Sequence, residues 1–303
     1  MTLQRAWVGF WALAVIWGSS FLFIRIGVEQ LSTFQLVFMR TGIAAIGLNG
    51  VAYLRGKRLP TDWAGIRDLL ILGVVNTVVP FALITWGEKS IESGLAAVLQ
   101  ATAALFTMVV AHFVFVDERI TRRKLIGLLC GFLGVLVLAS RSIEGEAIAS
   151  GARLHLLGQL AIVAASLCYA VGGTYSRKAI QRRLDPIVAA AGAMTVTAVI
   201  SGVAAYAAPL AGGAAPVVLD QLTPRVLVAI LALGLLNTFV AYLIFYSIIQ
   251  TLGAARASMV TYVIPAVGLT LGALFLNESV DMRLLTGTVM IVGSIGICSA
   301  ARR

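Results

Sequence analysis

Charged side chains are scarce in this sequence. They make up 12% of its 303 residues, whereas 60% are hydrophobic, and the mean hydropathy is +0.97. This composition excludes an ordinary soluble protein and predicts an integral membrane protein. The apolar runs leave only short connections, so no sizeable soluble domain fits between them.

Cysteine and acidic residues are also few. The cysteines, Cys130, Cys168 and Cys298, fall in different apolar runs and form no CxxC pair, so neither a disulfide framework nor a metal site is expected. The 13 acidic residues lie in connections or at the ends of runs. A proton relay through an acid at the membrane centre is therefore unsupported. Two transport mechanisms remain. One is uniport, and the other is coupled transport through a residue that the sequence does not identify.

Catalytic motifs are missing as well. The sequence has no HExxH, no GxSxG and no paired acids within the apolar runs. We therefore predict that the protein is not an enzyme and needs no cofactor.

Ten apolar runs approach the length that a helix needs to cross a bilayer. They lie at about 6–24, 34–54, 69–87, 94–116, 125–140, 156–176, 187–208, 226–248, 254–276 and 284–300. The first run is expected to remain as an anchor, because no cleavage-like site follows it. The predicted fold class is an all-α integral membrane protein with ten transmembrane helices.

Basic residues predict the orientation. Most of the 23 Lys and Arg residues fall on the inner side if odd-numbered runs lead outward, which predicts that both termini are cytoplasmic. These residues would hold the inner connections against anionic lipid headgroups. The net charge of +10 therefore indicates membrane lipids, and no nucleic acid, as partners.

A five-helix unit occurs twice in the chain. Leu72–Thr77 reappears as Leu233–Thr238, and Glu118, Arg123, Leu125 and Gly127 reappear as Glu278, Arg283, Leu285 and Gly287. We predict a first repeat over 1–142, an outer linker over 143–154 and a second repeat over 155–303. Because five is odd, the second repeat enters the membrane from the opposite side.

Inverted repeats are typical of secondary transporters, which bind substrate near the midplane between the halves. A duplication that merely built a larger bundle is the alternative. We expect the repeated glutamates, Glu118 and Glu278, to cap or brace helices, with Arg122 or Arg123 and Arg283 as candidate partners.

Residues in both halves resemble the ten-helix EamA family of the drug/metabolite transporter superfamily. The second half has Gly253–Ser258, Pro265, Leu274–Glu278, Gly287 and Gly293; the first has Trp17, Gly18, Gly94, Ala96, Ala97, Glu118, Gly127 and Gly134. Two features depart from the family. The mid-run proline expected near Ala104 is missing, and Thr41 and Gly42 follow Arg40 where a bulky apolar residue is commoner. The halves are therefore not expected to bend alike.

The resemblance implies a metabolite exporter of a bacterial inner membrane with a central cavity. The overall pattern is most similar to YddG-type exporters of amino acids and metabolites. Drugs or other metabolites, such as nucleosides or cationic toxicants, remain the alternative substrates.

Polar and aromatic residues within the apolar runs are the candidates for binding substrate. They are Trp17, Asn76, Pro80, Gln100, Tyr169, Asn237, Tyr242 and Tyr262. The two asparagines either bind substrate or join helices, because an unpaired amide in hydrocarbon is costly. Pro80 frees a backbone carbonyl beside Asn76. Gln100 would bond either Asn76 or substrate.

Arg40 lies about seven residues inside the second run, or roughly 10 Å at 1.5 Å per residue. It either attracts a substrate carboxylate, or pairs with helix-end carbonyls or snorkels outward. A cavity of amides, hydroxyls and rings without a fixed acid or base suits a zwitterion, so export of amino acids by alternating access is predicted. Gly127-x-x-x-Gly131 and Gly268-x-x-x-Gly272 permit close helix packing. We assign both to contacts within the chain and predict a monomer in preference to a homodimer.

Overall fold

The computed structural model describes residues 2–115, 119–140, 150–182, 184–213 and 215–300, and all regular structure in these ranges is helical. We number the helices along the chain and count consecutive segments of one rod as one helix. They are α1 Leu3–Gly27, α2 Thr33–Leu54, α3 Trp63–Gly87, α4 Ser93–Val114, α5 Arg122–Ala139, α6 Ser150–Arg182, α7 Pro186–Ala207, α8 Pro224–Leu252, α9 Val260–Leu276 and α10 Met282–Ala300. Short helical turns at Ala208–Ala211, Leu219–Gln221 and Ala254–Ala257 lie between them.

Seven of these helices, α1 to α4 and α6 to α8, are long and apolar enough to cross a membrane. The α9 and α10 helices are apolar but shorter. The predicted all-α membrane class is thus confirmed for the described residues. Ten crossings with both termini in the cytoplasm remain a prediction.

The α3 helix begins earlier than its apolar run indicated. Asp62 caps it by accepting a hydrogen bond from the Gly65 N–H at 3.0 Å, so the helix starts at Trp63 and not at 69. Asp68 consequently lies inside α3, where its carboxylate accepts a hydrogen bond from the Tyr175 hydroxyl at 2.7 Å. A capping residue outside the apolar run sets this boundary.

The α3 and α8 helices widen into π-helix at Val74–Val78 and Ala232–Val240, and both segments contain the repeated Asn-Thr pair. In α3, Pro80 follows the segment and has no N–H for the regular ladder. In α8, the Thr238 hydroxyl donates to the Leu233 carbonyl, five residues earlier, at 2.8 Å. Such wide turns occur often at functional sites.

The α4 helix is interrupted although it lacks the expected proline. A turn at Ala101 and Thr102 separates Ser93–Gln100 from Ala103–Val114, and Thr102 donates its hydroxyl to the Leu99 carbonyl at 2.6 Å. In the second half a turn precedes α9, which continues through Pro265. Both halves therefore have a turn in this region, at Ala101 and Thr102 in the first and at Ser258 and Met259 in the second, although only the second has the proline.

Helix packing follows the internal repeat. The α2 helix packs on α7 and α5 on α10, whereas α1 packs on α8 and α9, and α6 packs on α3 and α4. Exchanging the five helices of one half for those of the other reproduces this set of contacts. The domain boundaries remain predictions, since 143–149 lie outside the described residues and α6 begins at Ser150, within the predicted linker.

The predicted glycine motifs are used within the chain. A Cβ atom added at Gly127 would lie 2.4 Å from Cys298 Sγ of α10, and one at Gly268 would lie 2.3 Å from Ala97 Cβ of α4. Only glycine allows these helices to approach so closely.

The α4 helix is more deeply buried at one end. We call the end at which α3 finishes and α4 begins the Glu88 end. Here α9 packs on the first segment of α4, in which 93–99 are all buried. In the second segment only Leu105 and Ala111 are buried, and this segment packs on α6. The contact between α4 and α9 is therefore closest at the Glu88 end.

Candidate functional site

A buried arginine lies where the two halves meet. Arg40 of α2 is 8% exposed, and its Nε donates to the Thr238 hydroxyl of α8 at 2.8 Å. Its guanidinium carbon lies 4.1 Å from the centre of the Phe81 ring of α3. Among the described residues, no carboxylate pairs with it within salt-bridge distance. The expected snorkelling or pairing with helix-end carbonyls is therefore not what the structure shows.

Two tyrosines lie near the same guanidinium. Tyr169 of α6 and Tyr242 of α8 lie within electrostatic range of Arg40. The Tyr242 ring lies 6.0 Å from that of Tyr246. The structure thus brings together two predicted residues, Tyr169 and Tyr242, around an arginine whose role the sequence left open.

Three further contacts follow one face of α6, at a spacing of three residues. Ser166 donates to the Leu99 and Gln100 carbonyls, at 3.4 Å each. Tyr169 comes next, and Gly172 then packs on Asn76, where an added Cβ would lie 2.7 Å from Asn76 Oδ1. Gln100 of α4 and Asn76 of α3 therefore lie beside the face of α6 that carries Tyr169. The buried Oε1 of Gln100 has no hydrogen-bond partner in the described structure.

The two predicted asparagines have different surroundings. Asn237 is buried and donates its amide to the Ile16 carbonyl and, at 3.0 Å, to the Ser19 hydroxyl of α1. Asn76 is partly exposed, and its side-chain amide makes no hydrogen bond to any other described residue. Asn237 thus joins helices, while the Asn76 amide is available to a ligand. Substrate contact by either residue remains a prediction.

The remaining candidates lie around this group. The Trp17 ring lies 5.1 Å from the Phe245 ring of α8. Pro80 is buried after the π segment, and Tyr262 packs against the main hydrophobic core. Trp17 and Tyr169, which the repeat aligns, both pack against the main hydrophobic core.

Sequence reasoning missed Phe81, Thr238 and Ser166. A signal for Thr238 was present in the repeated Asn-Thr pair. Its counterpart, Thr77, has a buried hydroxyl with no hydrogen-bond partner within the described ranges. Arg40 engages only one of these two threonines, which makes the site asymmetric despite the repeat.

This arrangement can bind an anionic group. A guanidinium carries five N–H donors in a planar fork that matches a carboxylate, and Thr238 occupies only one of them. In the described part of the chain, no three His, Cys, Asp or Glu residues are grouped as a metal site would require.

Known proteins resemble this chain over most of its length. It is 26% identical to an uncharacterized transporter of Archaeoglobus fulgidus, over 99% of this chain and 100% of that protein. It is 25% identical to a "probable amino-acid metabolite efflux pump" of Salmonella typhimurium, with 95% and 93% covered. It is 30% identical to the uncharacterized inner membrane transporter YedA of Escherichia coli, with 86% and 79% covered.

A solved structure shares the fold. This crystal structure matches with a TM-score of 0.68 at 18% identity, covering 99% of this chain and 98% of that one. The model of the EamA-like transporter family matches twice, over residues 6–140 and 156–300. The two matches cover most of the chain and fall in its two predicted halves. The chain therefore belongs to the EamA-like transporter family, as its sequence motifs predicted.

Proposed function

We propose that this membrane transporter exports small zwitterionic metabolites, most of all amino acids, by alternating access between its two halves. The observation that carries the proposal is Arg40, a buried cation with one hydrogen bond and no carboxylate partner among the described residues. A substrate carboxylate would supply the missing anion through paired hydrogen bonds. The relative named as an amino-acid metabolite efflux pump supports this choice.

The neighbours of Arg40 suit the ammonium group of a zwitterion. An ammonium group would meet the ring faces of Tyr169 and Tyr242, and the free amide of Asn76 offers an oxygen acceptor. Cationic toxicants fit poorly, because they would place a second positive charge beside Arg40 in a medium of low dielectric constant. This argument favours amino acids over the alternative substrates.

We assign export as the direction of transport, which the relative named as an efflux pump supports. The charge pattern supports an orientation in which both termini and most basic residues lie in the cytoplasm of a bacterium, whose inner membrane the helices would cross. The Glu88 end then faces outward. The buried contact between α9 and the first segment of α4 would form the closed gate there, and the opposite end would admit substrate from the cytoplasm. Each transport cycle would close one end and open the other around Arg40.

Counterflow in proteoliposomes tests the proposal. Vesicles preloaded with unlabelled threonine, methionine or phenylalanine should accumulate the labelled amino acid, and Arg40→Gln should abolish this uptake. Arg225→Gln is the matched control, because Arg225 forms an exposed ion pair with Glu29 at 3.6 Å and should tolerate the change. Thermal unfolding should first establish that each variant is folded.

Competition then tests the substrate class. Phenylalanine amide, which lacks the carboxylate, should compete at least about tenfold more weakly than phenylalanine, the effect of losing about 1.4 kcal/mol. Equal competition, or unchanged uptake by Arg40→Gln, would show that Arg40 does not bind the substrate carboxylate. No uptake of any amino acid by wild type would overturn the proposed substrate.

A further inference from the structure

Glu88 is a buried acid that the proposed transport site does not use. It follows α3 directly and is 0% exposed. Both carboxyl oxygens are buried without a hydrogen-bond partner in the described structure. Burying an unpaired carboxylate is very costly. A buried carboxyl that lacks a donor is therefore best accommodated in its neutral, protonated form.

The charged groups around Glu88 come from several elements. The Arg25 guanidinium of α1 donates to the main-chain carbonyl of Glu88 at 2.5 Å, and not to its carboxyl group. Glu278, between α9 and α10, and Arg40 of α2 are within electrostatic range. On α6, Gly158 packs against Gly87, and the same turn carries His155, whose ring lies 3.1 Å from Gln159 Nε2. Lys89 and Glu92 lie in the same connection as Glu88.

Glu278 forms a latch across the two halves. Its carboxylate accepts hydrogen bonds from the main-chain N–H groups of Ser93, at 2.7 Å, and Gly94, at 2.8 Å, at the start of α4. Negative charge is favoured at a helix N-terminus. These bonds join a residue of the second half to a helix of the first.

The end of α9 aims Glu278 at α4. Asn277 adopts a left-handed conformation with φ of 54°, and the Glu278 N–H donates to the Gly272 carbonyl at 3.2 Å. Gly272 leaves room for the carboxylate, since an added Cβ atom there would lie 2.2 Å from Glu278 Oε2. The latch therefore holds the two halves together at the Glu88 end.

Closing this end therefore buries Glu88 close to a second carboxylate. Burial raises the pKa of the Glu88 carboxyl well above its ordinary value, and the charge of Glu278 raises it further, while Arg25 and Arg40 oppose the shift. When the end opens, water reaches the group and the pKa returns toward its ordinary value. The closed end therefore gains stability as the pH falls and loses it as the pH rises through the closed-state value.

We propose that the carboxyl group of Glu88 is a proton-binding site of the outer gate, which takes up a proton when the gate closes and releases it when the gate opens. The name outer gate rests on the proposed function. The proton enters and leaves on the same side, so it regulates the transport cycle without crossing the membrane. External acid would hold the gate closed and slow export.

A cysteine reporter tests this proposal without any substrate. Ser93→Cys, in a background where Cys130, Cys168 and Cys298 are replaced by serine, places a thiol beneath the latch, where Ser93 is fully buried. A membrane-impermeant thiosulfonate reagent would label it only when the gate opens. Ser279→Cys, an exposed position beside Glu278, corrects for the pH dependence of thiol chemistry. The protein is used in sealed proteoliposomes.

Corrected labelling of Ser93→Cys should rise with external pH, by up to about tenfold per pH unit for one proton. Glu88→Gln, which cannot ionise, should stay weakly labelled at every pH. Glu278→Gln should increase labelling at every pH, because it removes the latch charge. His155→Gln should keep the pH dependence of wild type.

Three outcomes would overturn the proposal. The first is pH-independent labelling of the Ser93→Cys protein when Glu278→Gln shows that the reporter responds to the latch. The second is that Glu88→Gln keeps this pH dependence unchanged. The third is that His155→Gln alone abolishes it. If Glu278→Gln does not fold, Glu278→Asp, whose shorter side chain reaches α4 less well, replaces it. Failure to transport amino acids would leave this test intact, since labelling needs no substrate.

Discussion

Asn237 donates its side-chain amide to the main-chain carbonyl of Ile16, and this bond fastens α8 to α1. The same amide also reaches the Ser19 hydroxyl. Asn76, at the equivalent place in the first repeat, instead packs beside Gly172 without a hydrogen bond to another described residue. Two residues that the repeat makes equivalent therefore differ, since only Asn237 joins two helices by a hydrogen bond.

Substitution of the asparagines should separate these roles. Asn237→Ala should lower the free energy of unfolding by about 1 kcal/mol, because it removes an interhelical hydrogen bond. Asn76→Ala should have a smaller effect on stability and should instead weaken counterflow. Unfolding of the purified variants in mixed micelles measures the first quantity. Greater destabilisation by Asn76→Ala would contradict this assignment.

Adjacent glycines in α6 provide a second matched pair. A Cβ atom at Gly172 would lie 2.7 Å from Asn76 Cβ and 2.9 Å from its Cα, whereas one at Gly173 would meet nothing within 4 Å. Gly172→Ala should cost about 1–3 kcal/mol, as overpacking does in well-packed interiors. Gly173→Ala should be neutral or slightly stabilising, because alanine is the better helix former. Thermal unfolding of both variants is the measurement, and equal midpoints would refute the close contact.

Apolar runs were sufficient to predict the helical class, and the family followed from the resemblance of residues in both halves. The repeated Asn-Thr pairs lie where α3 and α8 depart from regular helix, but the sequence did not predict this departure. Helix starts were less predictable, since Asp62 extends α3 well before its apolar run begins. Such caps lie outside the hydropathy signal.

The surroundings of side chains were the least predictable part of the site. Glu88 follows an apolar run, where an acid is ordinarily solvated, yet it is completely buried. Arg40 was visible as a charge within a run, but its partner Thr238 lies in the other half. Contacts between residues so far apart in sequence depend on how the halves pack, which hydropathy does not encode.

Arg40→Lys tests the geometry of the proposed carboxylate site. Lysine retains the charge but loses the planar fork and the Nε donor to Thr238. The KM for counterflow should rise at least about tenfold, equivalent to about 1.4 kcal/mol, while the maximal rate falls less. Initial rates at several phenylalanine concentrations measure both parameters. An unchanged KM would show that charge alone is sufficient, and therefore that paired hydrogen bonds are not used.

The threonines of the two Asn-Thr pairs give the last prediction. Thr238→Val removes the acceptor of the Arg40 Nε bond and leaves a buried donor unpaired, so it should destabilise the protein by about 1–3 kcal/mol and raise the KM. Thr77→Val removes a buried hydroxyl that has no partner among the described residues, so it should be neutral or stabilising. Both substitutions preserve the shape of the side chain, and both lie in π segments of the same kind. Their unfolding midpoints and counterflow parameters should therefore differ because the Thr238 hydroxyl bonds both Arg40 and the Leu233 carbonyl, whereas the Thr77 hydroxyl bonds no described residue. Equal effects in both assays would show that the two halves are functionally symmetric and that Arg40 does not orient the site through Thr238.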